Sequence, residues 1–337
     1  MAAFLARRLL LAVGVLVAVT FISFCFVATK FSAICTSAYT PQTRYPPLAG
    51  SVRDAAILYW HWLKSVPQGH VGDPCGTTTL QPFWESVGHT AMLIALTAVI
   101  VVAFSLLLGT LAAVNAGSAL DVVLRVFSYA AWAIPSFLLA LILQAIVEWA
   151  TVHHGFRLFP ISGWPGTCPV SVFYTTPACG HPTGIHYVGS LFTHTLVPAL
   201  ALSLAFVGLH SRYLRSALLV ALHAPFTTTA YAKGLSRRRT VLRHALRNSL
   251  ATFTSAFLLD MGAIFGAAMA VDWVFRLGGF GMLFIIQING VGGGDGPAYL
   301  DAYAIENLLA FAALFVLGAA FVSELAVGWL DPRARVR

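Results

Sequence analysis

Six long stretches of this chain contain few charged residues, and they constrain its fold more than any other feature. They run from about Leu9 to Ala28, Thr90 to Ala113, Val122 to Val147, Val188 to Leu209, Leu250 to Val274 and Ala304 to Leu330. Each has about twenty residues or more, the length that a helix needs to cross a bilayer core. A helix in lipid satisfies its own backbone hydrogen bonds. The sequence therefore predicts an all-α integral membrane protein with six transmembrane helices.

The composition favours the same class. Hydrophobic residues make up 58% of the chain and charged residues 9%, and the mean hydropathy is +0.82, well above the range of soluble domains. A cleaved signal peptide is the alternative for the first stretch. The apolar region of such a peptide usually has about 7 to 15 residues, so a membrane helix is favoured.

The basic residues predict the orientation of the spans. An even number of crossings puts both termini on one side, and a cytoplasmic N-terminus places fourteen of the twenty Lys and Arg residues inside. The six outside are Lys30, Arg44, Arg53, Lys64, Arg157 and Arg276. Because basic residues accumulate in cytoplasmic loops, both termini are predicted to be cytoplasmic. The net charge of +8 then reflects topology and indicates no nucleic-acid partner.

This topology divides the chain into three predicted parts. Residues 1–29 form an N-terminal transmembrane helix, residues 30–88 an extracytoplasmic insert, and residues 89–337 a core domain with five transmembrane helices. The core contains an extracytoplasmic loop at 151–187 and a cytoplasmic loop at 216–249. The two outer segments are long enough to form packed caps.

Four cysteines, Cys35, Cys75, Cys168 and Cys179, fall in the predicted outer segments. An oxidising compartment permits two disulfides among them, and Cys168 with Cys179 is the easiest closure. Free thiols are the alternative.

The cytoplasmic loop concentrates basic residues in the stretch YAKGLSRRRTVLRHALRNSL from Tyr231. A short helix from Thr227 to Lys233 is predicted to end at Gly234, which accepts the left-handed conformation. Ser236 is predicted to cap a second helix.

On that second helix the pattern predicts two faces. The apolar face has Leu242, Ala245, Leu246 and Leu250, and the basic face has Arg239, Arg243 and Arg247. The basic face suits an acidic groove or lipid phosphates. From these residues alone, a segment that only enforces topology on anionic headgroups has equal weight.

The stretch TTAYAKGLSRRRTVLRHALRNSL from Thr228 resembles the cytoplasmic EAA loop of binding-protein-dependent ABC-transporter permeases, in the oligopeptide/dipeptide/nickel branch. Ala230 and Gly234 match its core, whereas Thr228 and Thr229 depart from it. Further similar segments are GTLAAV from Gly109, IPSF from Ile134, DWVFRLGGFG from Asp272 and LDPRARVR from Leu330, together with Asp121, Arg212 and Arg215. Asp272 and Gly278 stand where the family usually has Glu and Pro.

The resemblance implies the six-helix, MetI-like fold of type I ABC importers, and the OppB/DppB-like first permease of a pair. It implies an ATP-driven importer of oligopeptides or dipeptides in the bacterial plasma (inner) membrane. The alternative is a permease of the same fold for nickel, glutathione or another small solute. The implied partners are a second homologous permease in a heterodimer, one or two cytoplasmic ATP-binding subunits and an extracytoplasmic substrate-binding protein. The residues implied to couple to the ATPase are Thr229, Ala230, Ala232, Lys233, Gly234, Leu235, Ser236, Arg237 and Arg238.

ATP hydrolysis is not expected in this chain. A phosphate-binding loop needs Gly-Lys followed by Ser or Thr, and the three lysines follow Thr29, Leu63 and Ala232. ATP and Mg are therefore expected on the partner ATPase, with no cofactor in this chain. Paired catalytic groups of a membrane enzyme are absent from the sequence pattern.

Charged residues inside spans are candidate functional residues. Asp260 is the deepest, and lining the pathway or pairing with a neighbouring helix have equal weight. Pro135 is predicted to kink the third span, with a static kink favoured over a gating hinge. Asp272, Glu306 and Glu324 lie near predicted span ends, where interfacial salt bridges are favoured. His153, His154, His181 and His186 are interpreted as solvated loop histidines, and no metal site is predicted.

Overall fold

The structure is a computed structural model that describes residues 2–30, 49–65, 80–155, 159–165, 184–289 and 302–330. Helices dominate these ranges, and no strand occurs within them. The disulfide predictions for Cys35, Cys75, Cys168 and Cys179 lie outside the described residues, as does His181.

The helices follow one another along the chain with short breaks. In order they are α1 (Ala2–Lys30), α2 (Val52–Ser65), α3 (Leu80–Val114), α4 (Ala119–Ala133), α5 (Ser136–His154), α6 (Gly184–Leu222), α7 (Pro225–Ala232), α8 (Arg237–Thr240), a π-helical turn (Val241–Ala245), α9 (Leu246–Leu259), α10 (Met261–Phe275), α11 (Phe280–Asn289) and α12 (Ala302–Leu330). Five of them are long and apolar enough to cross a membrane, and the bent pair Arg237–Leu259 and Met261–Phe275 gives a sixth candidate. The prediction of an all-α membrane protein is confirmed.

The third predicted span is wrong as a single helix from 122 to 147. The chain leaves the helix at Ile134, which has an extended backbone (φ −88°, ψ 123°), and α5 begins after Pro135. Proline has no N–H to continue the helix, and it disfavours helical geometry in the residue before it. The proline therefore separates two helices, and the apolar span of this region is Ser136–His154.

By its internal contacts the chain forms two compact units. The first comprises Met1–Thr90 and Gly278–Gly318, and the second comprises Ala91–Leu277 and Ala319–Arg337.

In the first unit, α1 and α2 pack through an aromatic cluster. Its buried residues are Phe24, Ala28, Ala49, Ala55, Tyr59 and Trp62. Two polar groups of α2 are satisfied inside it: the Tyr59 hydroxyl lies 2.9 Å from the Thr20 hydroxyl, and the Trp62 indole donates a 2.9 Å hydrogen bond to Asn307 Oδ1. Burial of aromatic rings with paired polar ends fixes how α2 lies on its neighbours.

Glu306, also in the first unit, is fully buried (0% exposed). The Ser23 hydroxyl lies 2.9 Å from both of its carboxylate oxygens and donates to them. The expected interfacial salt bridge is therefore wrong for Glu306, because its described partner is a hydroxyl group and not a cation. The Glu324 side chain lies outside the described residues.

The second unit is organised around α6. Of its apolar window 61% is buried, compared with 11% for α5, and α6 packs against α4, α5, α9 and α10. The fourth predicted span ended at Leu209, but α6 continues to Leu222. This extension adds three buried or half-buried polar residues to the helix: His210, Ser211 and Arg212.

Two glycines allow close helix packing in this unit. A Cβ atom at Gly208 would lie 2.5 Å from the Ser128 carbonyl oxygen of α4, and one at Gly109 would lie 2.8 Å from the Ser211 carbonyl oxygen of α6. The hydroxyls of Ser128 and Ser211 meet at 3.0 Å beside the first contact. Small residues with an interhelical hydrogen bond are a common device of membrane helix packing.

Candidate functional site

The short helix α7 follows α6 after a two-residue turn. Pro225 takes its first position, where a missing N–H has no consequence. Thr227 is buried, and its hydroxyl donates a 2.7 Å hydrogen bond to the Ala221 carbonyl of α6. Ala230 is also buried, whereas Phe226 and Tyr231 are 41% and 42% exposed. One side of α7 is thus fixed to α6, and the other side faces outward.

Gly234 ends α7 with a two-bond C-terminal cap. The Gly234 N–H donates to the Tyr231 carbonyl at 2.9 Å, and the Leu235 N–H donates to the Ala230 carbonyl at 3.2 Å, which is the Schellman pattern. This cap requires the positive φ of 78° at Gly234. No atom lies within 4 Å of a Cβ built there, so the requirement for glycine comes from the backbone and not from crowding. The predicted helix, glycine turn and second helix are confirmed.

The second helix begins after Ser236, which has the extended backbone of an N-cap but no side-chain capping bond. Instead, the neighbouring Arg237 guanidinium donates a 2.6 Å hydrogen bond to the carbonyl of Val114, the last residue of α3. Carbonyls at a helix end have no partner within the helix and favour a cation. Arg237 therefore fixes the loop to α3.

The predicted apolar face of this helix is partly wrong. Leu242 is 49% exposed, whereas Val241 and Ala245 are buried. The cause is the π-helical turn Val241–Ala245, whose extra residue shifts the phase of the side chains. Ala245 packs in a cluster with Ala113, Leu218 and Ala221.

The outward side of the loop is strongly basic. Lys233, Arg238, Arg239, Arg243 and Arg247 are all exposed, and an open cleft is lined by Ser236, Arg238, Arg239, Leu242 and Arg243. Of the nine residues implied for coupling, seven are exposed; Ala230 is buried and Leu235 is half-buried. The structure thus brings the cationic members together on one surface.

Behind this loop a buried carboxylate holds α4 against α6. The Arg215 guanidinium donates two 2.7 Å hydrogen bonds to Asp121, through Nε and Nη2. Asp121 is 1% exposed and also accepts from the Gly117 N–H at 3.1 Å. The hydrogen bond from Arg215 is the main cause that lowers the pKa of Asp121 to about 2, against desolvation by burial. The sequence stage identified both residues by resemblance but did not pair them.

The two candidate pathway residues lie at breaks in helices. Pro135 is exposed between α4 and α5. Asp260 lies between α9 and α10, which meet at 47°. The Asp260 carboxylate contacts His210 of α6, with 3.4 Å between Oδ2 and Nε2. Of the two readings of Asp260, the structure thus provides the contact with a neighbouring helix, and the pathway role remains a prediction.

His210 is fully buried, and the sequence prediction missed it. The predicted span ended one residue before it. The signal was available as a second titratable residue near the level of Asp260 on a helix that could continue beyond Leu209. The loop histidines His153 and His154 contact the Trp149 ring within α5.

Comparisons with known proteins agree with this arrangement. Residues 105–336 match the model of the family described as "Binding-protein-dependent transport system inner membrane component". The oligopeptide transport system permease protein OppB of Mycobacterium tuberculosis (strain ATCC 25618 / H37Rv) is 28% identical over an alignment of 353 positions, which covers 100% of both chains. AppB of Bacillus subtilis (strain 168), also named an oligopeptide transport system permease protein, is 24% identical over 99% of both chains.

The di/tripeptide transport system permease protein DppB of Pseudomonas aeruginosa (strain UCBPP-PA14) is 28% identical over 82% of this chain and 80% of its own length. The family match covers more than half of the chain and includes the whole loop from α6 to α9. The chain belongs to the family of binding-protein-dependent transport system inner membrane components.

Proposed function

We propose that this chain is one of two permease subunits of an ATP-driven importer for oligopeptides or dipeptides. Family membership makes it a multi-pass inner membrane protein that works in transport with an ATPase and a binding protein. Full-length similarity to permeases named for peptides supports the cargo class. Nothing in the described residues favours nickel or another small solute.

The loop from α7 to α8 is the proposed coupling site. The single observation that carries this proposal is the outward-facing α7, held to α6 on one side and ended by the positive-φ Gly234. A rigid short helix beside a cationic surface suits an acidic groove on a partner. Movement of that partner would be transmitted to α6 through Thr227 and to α3 through Arg237.

The proposed orientation places this loop and both termini in the cytoplasm, as the basic residues favour. ATP and Mg are proposed to bind the partner ATPase, and this chain carries no cofactor. The proposed assembly has a second, homologous permease subunit, and an extracytoplasmic binding protein delivers the cargo.

The test is a pull-down of the tagged chain from its native membrane in mild detergent, with co-purified chains identified by mass spectrometry. Gly234→Val should lose the ATPase, because a β-branched residue disfavours φ 78°. Gly234→Asn should keep it, since asparagine tolerates that conformation. Gly155→Val is the matched control, because Gly155 has φ 65° and equally open surroundings in another loop.

Retention of the ATPase by Gly234→Val would remove the coupling role. The cargo class is tested separately by uptake of labelled dipeptides, oligopeptides and Ni²⁺ in cells with and without the chain. Nickel uptake that depends on the chain, without peptide uptake, would replace peptides as the cargo.

A further inference from the structure

His210 and Asp260 form an isolated polar contact inside the second unit. The His210 ring is fully buried among aromatic side chains, with ring centroids 5.4 Å from Phe257, 5.7 Å from Tyr213 and 6.1 Å from Phe253. Asp260 approaches from the bend between α9 and α10, and its side chain is 30% exposed. One partner is therefore dry and the other reaches the surface of the unit.

The hydrogen bond of the other ring nitrogen decides the protonation of this contact. His210 Nδ1 lies 2.9 Å from the carbonyl oxygen of Phe206, one turn earlier in α6. A carbonyl oxygen only accepts hydrogen bonds, so Nδ1 must carry a hydrogen and donate it. In the neutral ring, Nε2 then has a lone pair and no hydrogen.

Asp260 Oδ2 lies 3.4 Å from this Nε2. An ionised carboxylate is also only an acceptor, so two acceptors would face each other across a buried contact. Such an arrangement is unfavourable where water does not reach the ring. One additional proton removes the conflict, either as a protonated carboxyl group that donates to Nε2 or as an imidazolium that donates to the carboxylate.

The surrounding charged groups do not supply this proton. Arg215 binds Asp121, and Arg212 lies over the Tyr129 ring of α4 at 4.5 Å. Elsewhere on the helices that contact α6, the titratable or charged side chains are Arg125 on α4, Glu148, His153 and His154 on α5, Arg243 and His244 on the π-helical turn, Arg247 on α9 and Asp272 on α10. Within the described residues, the charged contact of His210 is with Asp260.

The geometry points to a proton-binding site in which His210 and Asp260 share one proton, and this proton holds the bend of the fifth span against α6. The backbone continues through the bend, because the Asp260 N–H donates to Ala256 at 3.0 Å and the Ile264 N–H donates to Asp260 at 2.9 Å. The angle can therefore change without loss of these bonds, and the side-chain contact anchors it.

Release of the proton has a defined route and charge balance. It passes to water at the exposed edge of Asp260, and it leaves a neutral His210 and one negative charge on the carboxylate. No other bond forms or breaks. The carboxylate then favours water over the Nε2 lone pair, so the bend is freed from α6.

The first test is ¹⁵N nuclear magnetic resonance of the full chain in lipid bilayers with labelled histidine, assigned by the loss of a signal in His210→Gln. The titration covers about pH 5 to 8, where histidine pairs change charge. The wild type is expected to show a protonated Nδ1 and an Nε2 that is protonated or hydrogen-bonded at the acidic end and bare at the alkaline end. A bare Nε2 across the whole range, or an unprotonated Nδ1, overturns the proposal.

The second test measures hydrogen exchange of the backbone from Ala256 to Ile264 in the wild type and in Asp260→Asn at matched pH. The asparagine amide donates to Nε2 without an added proton, so this variant should keep its protection at alkaline pH where the wild type loses it. Thr254→Ala, one turn away, serves as the control and should follow the wild type. Equal loss of protection in wild type and Asp260→Asn at every pH overturns the proposal.

Discussion

Arg215 binds Asp121 through two parallel 2.7 Å hydrogen bonds, and this pair connects α6 with the first turn of α4. The carboxylate is 1% exposed and the arginine side chain 21% exposed. Bidentate charge-assisted bonds of this kind are geometrically specific. The pair lies beside the loop from α3 to α4, where Gly117 also binds Asp121.

Removal of one partner should destabilise the second unit. We expect Arg215→Met to lower the free energy of unfolding by more than the about 1 kcal/mol of an exposed pair and by less than the roughly 3 to 5 kcal/mol of a fully buried pair. Arg125→Met is the control, since Arg125 is 43% exposed and 3.5 Å from Asp121. Thermal unfolding in detergent measures both. Equal effects of the two variants would contradict the structural role of the bidentate pair.

The same pair predicts a dependence of stability on pH. The pKa of Asp121 is lowered from 3.8 to about 2 by the hydrogen bond from Arg215. A lowered pKa stabilises the folded state above the unfolded value, and this stabilisation is lost as pH falls through the folded value. Between about pH 4 and 2 the wild type should lose stability more steeply than Asp121→Asn. Parallel unfolding curves of the two proteins over that range would disagree with this assignment.

Arg237 and Arg238 are adjacent and both exposed, but the structure gives them different roles. Arg237 binds the Val114 carbonyl, whereas Arg238 lines the open basic cleft. Arg237→Met should increase hydrogen exchange of the backbone around the α3–α4 loop, because the terminal carbonyl of α3 loses a partner worth about 1.5 to 3 kcal/mol. Arg238→Met should leave exchange unchanged and weaken association with the ATPase. The opposite assignment of effects would refute the division of roles.

How far the sequence predicts this fold depends on local rules. The end of α7 at Gly234 was predictable, because a helix followed by glycine specifies its own cap. The exposure of Leu242 was not, because a π-helical turn shifts the side-chain phase and only packing against Ala113 and Leu218 selects it. The break at Pro135 was foreseen as a kink, and its full extent depends on the extended Ile134.

The candidate site divides in the same way. The basic loop residues are consecutive in sequence, so their common surface follows from the helix pattern. The pairs Asp121 with Arg215 and His210 with Asp260 join residues far apart in the chain. Their partners depend on how α4 and α9 pack on α6, which no single segment encodes.

In the first unit, the bond from Trp62 to Asn307 should be strongly coupled. Asn307 is 8% exposed, and its Oδ1 accepts the indole N–H at 2.9 Å. Trp62→Phe keeps most of the ring but leaves a buried acceptor without this donor, which costs about 1 to 3 kcal/mol. A double-mutant cycle with Asn307→Leu should show a coupling energy above about 0.5 kcal/mol. Additive losses in unfolding free energy would show that the bond contributes nothing.

The contact of Gly208 with Ser128 gives the sharpest packing prediction. Gly208→Ala places a methyl group 2.5 Å from a backbone carbonyl oxygen, so the two helices must move apart, at a cost of about 1 to 3 kcal/mol. The separation also weakens the bond between the Ser128 and Ser211 hydroxyls. Gly189→Ala in the same helix has nothing within 4 Å and should gain up to about 1 kcal/mol from helix propensity. Thermal unfolding in detergent should therefore move the two alanine variants in opposite directions, and a stabilised Gly208→Ala would exclude the close approach of α4 and α6.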